Sequence, residues 1–335
     1  MRCMTALPDD LRAALDDALD GHGRRDLARA VERLSGRYRE GRAATAPILA
    51  TAGDVAAYAG YRMPATYAAV HAALTEVARA ARGFAPTTMA DVGGGTGAAL
   101  WAAQRTWPAL GELTVTEQAP EAIALGRRLA ATATAPALRD ATWRRGTIDP
   151  AAPPPAADLV TLSYVLGELP EPAREPAVGW LADAAGDDGV VVLIEPGTPD
   201  GYERIVTARA ALLARGMTVL APCPHDLACP VPRGQDWCHF ATRLPRLDAH
   251  RQIKDGTLGF EDEKFSYVAA SRRPYGRATS RVLRHPLKRK GLVALRECTA
   301  DDGLADTTVT KRQRDLYRAA RDVRWGDAWP PPSGE

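Results

Sequence analysis

The chain has 335 residues, enough for one large domain with a smaller one beside it, and its 46% hydrophobic and 25% charged content allows a sizeable core. No apolar stretch approaches the roughly 20 residues that span a bilayer, which excludes a membrane-crossing helix. The acidic start MRCMTALPDDLRAALDDALDG has neither the basic patch and apolar run of a signal peptide nor the Arg-rich character of a transit peptide, so a cytoplasmic, reducing location is expected, where structural disulfides are rare. The net charge is +2, yet residues 271–329 carry fifteen Lys or Arg against seven Asp or Glu, making that segment +8 and the remainder −6. Within it, SRRPYGRATSRVLRHPLKRKG (271–291) has eight basic residues and no acid, which suggests a polyanionic partner such as nucleic acid, against the plainer alternative of a solvated basic face.

Residues 8–39 and 64–82 space their apolar side chains as amphipathic helices do, with Leu11, Leu15 and Leu19 and then Leu27, Val31 and Leu34 on one face. From about residue 88 short apolar runs alternate with helical stretches. TMADV (88–92), LTVTE (113–117), DLVTLS (158–163) and VVVLIE (190–195) read as strands, with AALWAAQR, PEAIALGRRLAA and EPAVGWLADAA as the helices among them. That alternation predicts a parallel sheet with crossover helices, which MTVLAP (217–222) and EKFSYVAAS (263–271) complete as its last two strands. The Pro-rich DPAAPPPAAD (149–158) is a surface connection. Beyond 272, RVLRHPL, GLVALREC and DTTVTKR predict short antiparallel strands followed by a helix. The expected division is a helical segment over 1–85, an α/β domain over 86–271 with a cysteine-rich loop at 222–240, and a basic β-rich domain over 272–329, of a kind that an OB-like barrel would satisfy.

The first strand of the α/β part runs into DVGGGTG, with Gly93, Gly95 and Gly97 at alternate positions and a helix starting at once. Glycines there let the backbone turn sharply and approach a ligand in the crevice at the strand ends. Glu117 closes the next strand 24 residues after Gly93, where a carboxylate can accept both hydroxyls of a ribose. Asp91 precedes the turn and is placed to order it or to take an amino group through water. The GxGxG spacing differs from the GxGxxG of dinucleotide binders, which argues against NAD. This stretch resembles the first motif of the class I S-adenosylmethionine-dependent methyltransferases. The resemblance implies a seven-stranded sheet whose seventh strand is antiparallel, with Thr147 and Ile148 of RRGTID near the adenine and Ser163 of SYVLGELP at the flank of the methyl group. That flank holds no Asn or Asp followed by Pro-Pro-Tyr, and no cysteine to attack a pyrimidine ring. Tyr164 and Glu168 are placed to orient a nucleophile, although such residues commonly pack and cap, and no catalytic residue is assigned.

Three of the five cysteines fall within 16 residues as C-x5-C-x8-C (Cys223, Cys229, Cys238), and Cys298 follows after 59 more. No CxxC pair or zinc-finger spacing is present, so buried free thiols and a metal site both remain open on spacing alone. Four thiolates converging there would staple the basic C-terminal part to the α/β sheet. PCPHDLACP, DWCHF, FEDEKFSYVAASR and AYAGYRMPATYAAV (57–70) together resemble the ribosomal small-subunit methyltransferase-like family, whose mitochondrial members act in small-subunit assembly. The resemblance implies a 4Fe–4S cluster on Cys223, Cys229, Cys238 and Cys298, with zinc as the alternative occupant and His225 or His239 as alternative donors. The CxxxCxxC motif of radical chemistry is absent, so an architectural or sensing cluster is expected. The implied function is an S-adenosylmethionine-binding, iron–sulfur-containing rRNA methyltransferase of the small ribosomal subunit, acting as a monomer. A non-catalytic assembly factor with the same ligands is the second reading. A small-molecule methyltransferase with structural zinc is the third, and it leaves the +8 segment unexplained.

Overall fold

The structure is a computed structural model that describes residues 4–20, 29–30, 52–246 and 259–331. Much of the helical pattern expected over 8–39 therefore lies outside the described residues. Helix α1 (Asp9–Asp20) buries Leu11, Leu15 and Leu19 at the expected i, i+4 spacing. Helix α2 (Ala52–Ala80) starts twelve residues before the expected 64 and runs through Pro64 without ending there.

The α/β core follows β1 (Thr88–Val92), α3 (Ala98–Thr106), β2 (Glu112–Glu117), α4 (Pro120–Ala131), a short α5 (Pro136–Arg139), β3 (Thr142–Arg145), β4 (Leu159–Ser163), α6 (Glu171–Ala184), β5 (Val190–Pro196), α7 (Pro199–Ala214), β6 (Thr218–Ala221), β7 (Phe240–Pro245) and β8 (Phe260–Ser271). Strands β1, β4 and β5 are buried almost end to end, as central parallel strands covered on both faces must be. Their side chains alternate between two cores. Val190, Val192 and Ile194 meet α2, α3 and α4, while Val191 and Leu193 meet α6 and α7. The strand order is β3-β2-β1-β4-β5-β8-β6, with β8 antiparallel to both neighbours. This is the class I methyltransferase topology. An eighth strand, β7, extends it by pairing with the outer half of a longer β8.

A second sheet is formed by β9 (Ser280–Val282), β10 (Leu287–Arg289), β11 (Leu292–Thr299), β12 (Gly303–Thr310) and β13 (Ala328–Trp329), in the order β10-β11-β9-β13 with β12 on the other edge of β11. Helix α8 (Arg314–Asp322), after a 3-10 turn at Lys311–Gln313, covers it through Val282, Val293, Leu295, Val309, Ala320 and Trp329. Among the described residues no pairing closes this sheet, so it is an open antiparallel layer and not the OB-like barrel expected. No helix of the described residues is long and apolar enough to cross a membrane.

The acid-free basic run also departs from expectation. Arg272 bonds the carbonyls of Ala182 and Gly186 and pairs with Asp183, Arg273 pairs with Asp188, Arg277 with Asp226, Arg281 with Glu76 and Arg284 with Asp236. These five cations take their acids from earlier in the chain. They fasten the second sheet to the first, so five of the eight cations of this run already have acid partners within the chain.

Candidate cofactor crevice and cysteine cavity

The glycine turn leaves β1 with Gly93, Gly95 and Gly97 all at positive φ (65°, 55° and 87°), the left-handed region that side chains resist. Their reasons differ. A Cβ on Gly93 would stand 2.6 Å from Val165, and one on Gly97 2.8 Å from Trp143, so both are packed positions. A Cβ on Gly95 would meet nothing within 4 Å, so there the backbone faces open space that a ligand can approach. Glu117 holds the turn: one carboxylate oxygen accepts from Gly95 N (2.9 Å) and the other from Ala119 N (2.8 Å). Asp91 is buried under the turn, where Oδ1 accepts from the Thr161 hydroxyl at 2.7 Å and Oδ2 has no partner. Burial, opposed by that hydrogen bond and reinforced by the Glu117 charge, pushes its carboxyl up to about 7. From α2, Met63 Sδ accepts from the Thr96 hydroxyl at 3.2 Å, so this helix closes over the turn.

Thr147 and Ile148 follow β3, Thr147 exposed and Ile148 half-buried against the α6–α7 core, while Gly146 N donates to the Glu117 carbonyl at 3.0 Å. Their loop is thus tied to the residue expected to hold ribose. Ser163 ends β4 with its Oγ buried and unpartnered. Next to it, Tyr164 is the one non-glycine residue at positive φ (63°) among the described residues. Its hydroxyl donates to Glu263 Oε1 at 2.8 Å, Glu263 also takes both terminal nitrogens of Arg62 (3.1 and 3.2 Å), and the Arg62 guanidinium lies 5.3 Å from the Tyr164 ring centre. Sequence reasoning missed Arg62 and Glu263, which lie far apart in the chain. Glu168 is half-buried, and burial followed by repulsion from Glu117 and Glu195 pushes its carboxyl up to about 7.

The four expected cysteines come to one place. Cys223 follows β6, Cys229 and Cys238 lie on the loop leading to β7, and Cys298 is on β11 of the second sheet; all four line a cavity of about 30 Å³. Burial, with mutual repulsion as a smaller cause, raises the thiols of Cys223, Cys238 and Cys298, the last to about 12. Thiols gathered this way stay protonated unless a cation takes the place of their protons. Among the described residues, no three or more His, Cys, Asp or Glu side chains stand close enough to enclose a single metal ion. The surroundings include His225, expected as an alternative donor, and Tyr202, Arg209 and Arg281, which the spacing did not announce. Tyr202 OH is 3.3 Å from Cys229 Sγ, and His225 Nε2 is 3.3 Å from Cys298 Sγ. Arg209 and Arg281 are buried cations on the wall, and Arg209 Nε has no hydrogen-bond partner. His239 is not part of it, since its ring stacks on Trp237 and meets the edge of Trp325.

A family model described as mitochondrial small ribosomal subunit Rsm22 matches residues 52–330, a span that takes in the crevice, the cysteine cavity and both sheets. The chain belongs to the Rsm22 family. The human protein named "Ribosome assembly protein METTL17, mitochondrial" is 30% identical over 291 residues, covering 82% of this chain and 62% of its own length. Two Schizosaccharomyces pombe proteins named Rsm22-cox11 tandem proteins, mitochondrial, are 28% identical over 188 residues, covering 44% of this chain and 25% of theirs. This Rsm22 chain thus spans less than two thirds of the length of these relatives. Among solved structures, a precorrin-6y C5,15-methyltransferase from Geobacter metallireducens covers 60% of this chain and 86% of its own at 17% identity and a TM-score of 0.39. Magnesium protoporphyrin IX methyltransferase from Synechocystis covers 71% and 91% at 12% identity and a TM-score of 0.40. The cytoplasmic location expected from the start of the chain is overturned here: the Rsm22 family description and all three relatives are mitochondrial.

Proposed function

We propose that this protein binds S-adenosylmethionine at the glycine turn, holds a 4Fe–4S cluster on its four cysteines, and methylates RNA of the small ribosomal subunit during assembly. The observation that carries the reading is the crevice: three left-handed glycines, one of them facing open space, over a buried carboxylate with an unused oxygen. Asp91 and Glu117 order the turn and supply negative charge toward a cationic cofactor. Gly93, Gly95 and Gly97 admit it, Thr147 and Ile148 border its base, and Ser163 offers a hydroxyl at the far flank. S-adenosylmethionine supplies an electrophilic methyl group, whose in-line transfer demands chiefly proximity and alignment. Glu168, with its carboxyl near 7, is the group at this flank suited to take a nucleophile's proton at neutral pH.

The cysteine cavity fits a cluster in the chemistry of its donors. Zinc in a tetrahedral site draws its sulfurs to roughly 3.8 Å of one another, given Zn–S bonds of about 2.3 Å. A cubane takes each thiolate on a separate iron, and the four thiols line one cavity. Arg209 and Arg281 supply buried positive charge beside the anionic assembly that four thiolates would form. Held by four protein ligands, the cluster would leave no iron open to bind the cofactor, and Cys223, Cys229 and Cys238 with Cys298 would join the two sheets through it.

A second reading, a non-catalytic assembly factor, is favoured by one observation. Tyr164, Glu263 and Arg62 satisfy one another at the methyl flank and leave few free groups to orient a nucleophile. The deciding experiment uses protein purified without oxygen, methyl-labelled S-adenosylmethionine and small subunits from a strain lacking this gene. Label at one nucleotide is the expected outcome. Binding of cofactor and subunits with no label in mature or precursor particles gives the second reading.

A further inference from the structure

The chain has a large excess of basic residues after 271, and the structure divides them into two sets. Arg272, Arg273, Arg277, Arg281 and Arg284 are committed to acids of the first sheet and its helices. At the opposite end of the second sheet, Lys288, Arg289 and Lys290 form the tip of the β10–β11 hairpin, all exposed. Lys311 and Arg312 follow β12 on the 3-10 turn and Arg314 opens α8, again all exposed. The two triplets sit side by side. Lys311 N donates to the Gly291 carbonyl at 3.1 Å, and Gly291 N donates to the Tyr317 hydroxyl at 3.1 Å. Among the described residues none of the six forms an ion pair, while the nearby acid Asp315 is paired with Arg318.

We propose that this tip, Lys288–Lys290 with Lys311, Arg312 and Arg314, is the surface that grips ribosomal RNA, by its phosphates. The inference rests on the small-subunit reading above and names the surface that serves it. Six like charges held together by a hairpin and a tight turn repel one another, and a polyanion relieves that repulsion while releasing its own counterions. The plain alternative is a solvated basic edge. Against it stands a contrast within one segment: five arginines reach acids from earlier in the chain, whereas the six cations of the tip have no acid partner among the described residues, Lys288 donating only to the Arg321 carbonyl. Exposed Leu287 at the same tip adds an apolar contact for a base or sugar.

The test measures binding of a fluorescein-labelled 20-nucleotide single-stranded RNA, and of isolated small subunits, as salt is raised. Three variants of the full chain are compared with wild type: K288Q/R289Q/K290Q, K311Q/R312Q/R314Q, and R273Q/R277Q/R284Q. For single strands each phosphate contact contributes about 0.7 to the slope of log affinity on log salt, so each tip variant should flatten it by up to about 2. Their melting temperatures should stay near wild type. The third variant should melt earlier and keep the wild-type slope. Tip variants with an unchanged slope, or a slope lost only in the third variant, overturn the proposal while the small-subunit reading stands. Wild type that binds subunits but not RNA, with tip variants equally tight on subunits, points to a protein partner and also overturns it. Wild type that binds neither overturns both.

Discussion

Asp91 uses its two carboxylate oxygens differently, one on Thr161 and the other unpaired beneath the turn, and its raised carboxyl follows from that burial. A carboxyl held near 7 in the folded state and near 4 when unfolded makes the empty protein lose stability as pH rises from about 4 to 7, because the unfolded chain gives up its proton first. A cationic cofactor favours the ionised form. S-adenosylmethionine should therefore bind about tenfold more tightly at pH 8 than at pH 6 by calorimetry, and Asp91→Asn should flatten that dependence. The glycines separate by the same reasoning. Gly93→Ala should lower stability by about 1–2 kcal/mol for the left-handed backbone, and further for its contact with Val165. Gly95→Ala fills only open space, so its larger effect should be on cofactor affinity, read by titration beside a thermal melt. DVGGGTG announced this site in the sequence because its residues are consecutive. Arg62 and Glu263 were not legible, since 201 positions separate them and only the packing of α2 over β8 brings them to Tyr164.

At the level of elements, β1, β2, β4 and β5 lie within a residue of where the sequence placed them: β1, β4 and β5 as runs buried on both faces, β2 by its alternation of buried and less buried residues. Strand β7 went unread although FATRLP alternates buried and half-buried residues, because it follows directly on a loop rich in Cys, Pro and Trp. Helix α2 was expected to start at Pro64, a residue that usually marks a helix start and here sits inside one. The basic run misled for another reason: its acids come from 76, 183, 188, 226 and 236, where no local pattern points to them. Arg281 shows how firmly the elements are tied. Its buried guanidinium pairs with Glu76 of α2 and donates to the carbonyls of Pro222 and Gly326. Arg281→Met should destabilise the protein by about 1–3 kcal/mol in denaturant melts, because the Pro222 and Gly326 carbonyls lose their donor while Glu76 keeps only its pair with Arg79.

For the molecule as a whole, the cysteine cavity joins a loop of the first sheet to β11 of the second. Strand β11 carries Cys298 near one end and meets the basic tip at the other, six residues or about 20 Å away. Protein purified without oxygen should be brown, with absorbance near 400 nm that is lost in Cys298→Ser, while the circular dichroism of the first sheet persists. Chelator treatment should then open residues 272–279, the connection between the sheets, to protease. Arg209→Leu should hasten that loss of colour, since its unpartnered Nε lies in the wall of the cavity.

Cys298 comes 60 residues after Cys238, and between them the chain must complete β7, β8, β9 and β10. During synthesis the first three thiols therefore leave the translating ribosome well before the fourth exists. A nascent chain can finish the parallel core of its first sheet while its cysteine loop still has an open side. On the proposed reading, a cluster on all four cysteines would form only in chains made past β11, so metal content would report on translation that has run past that strand.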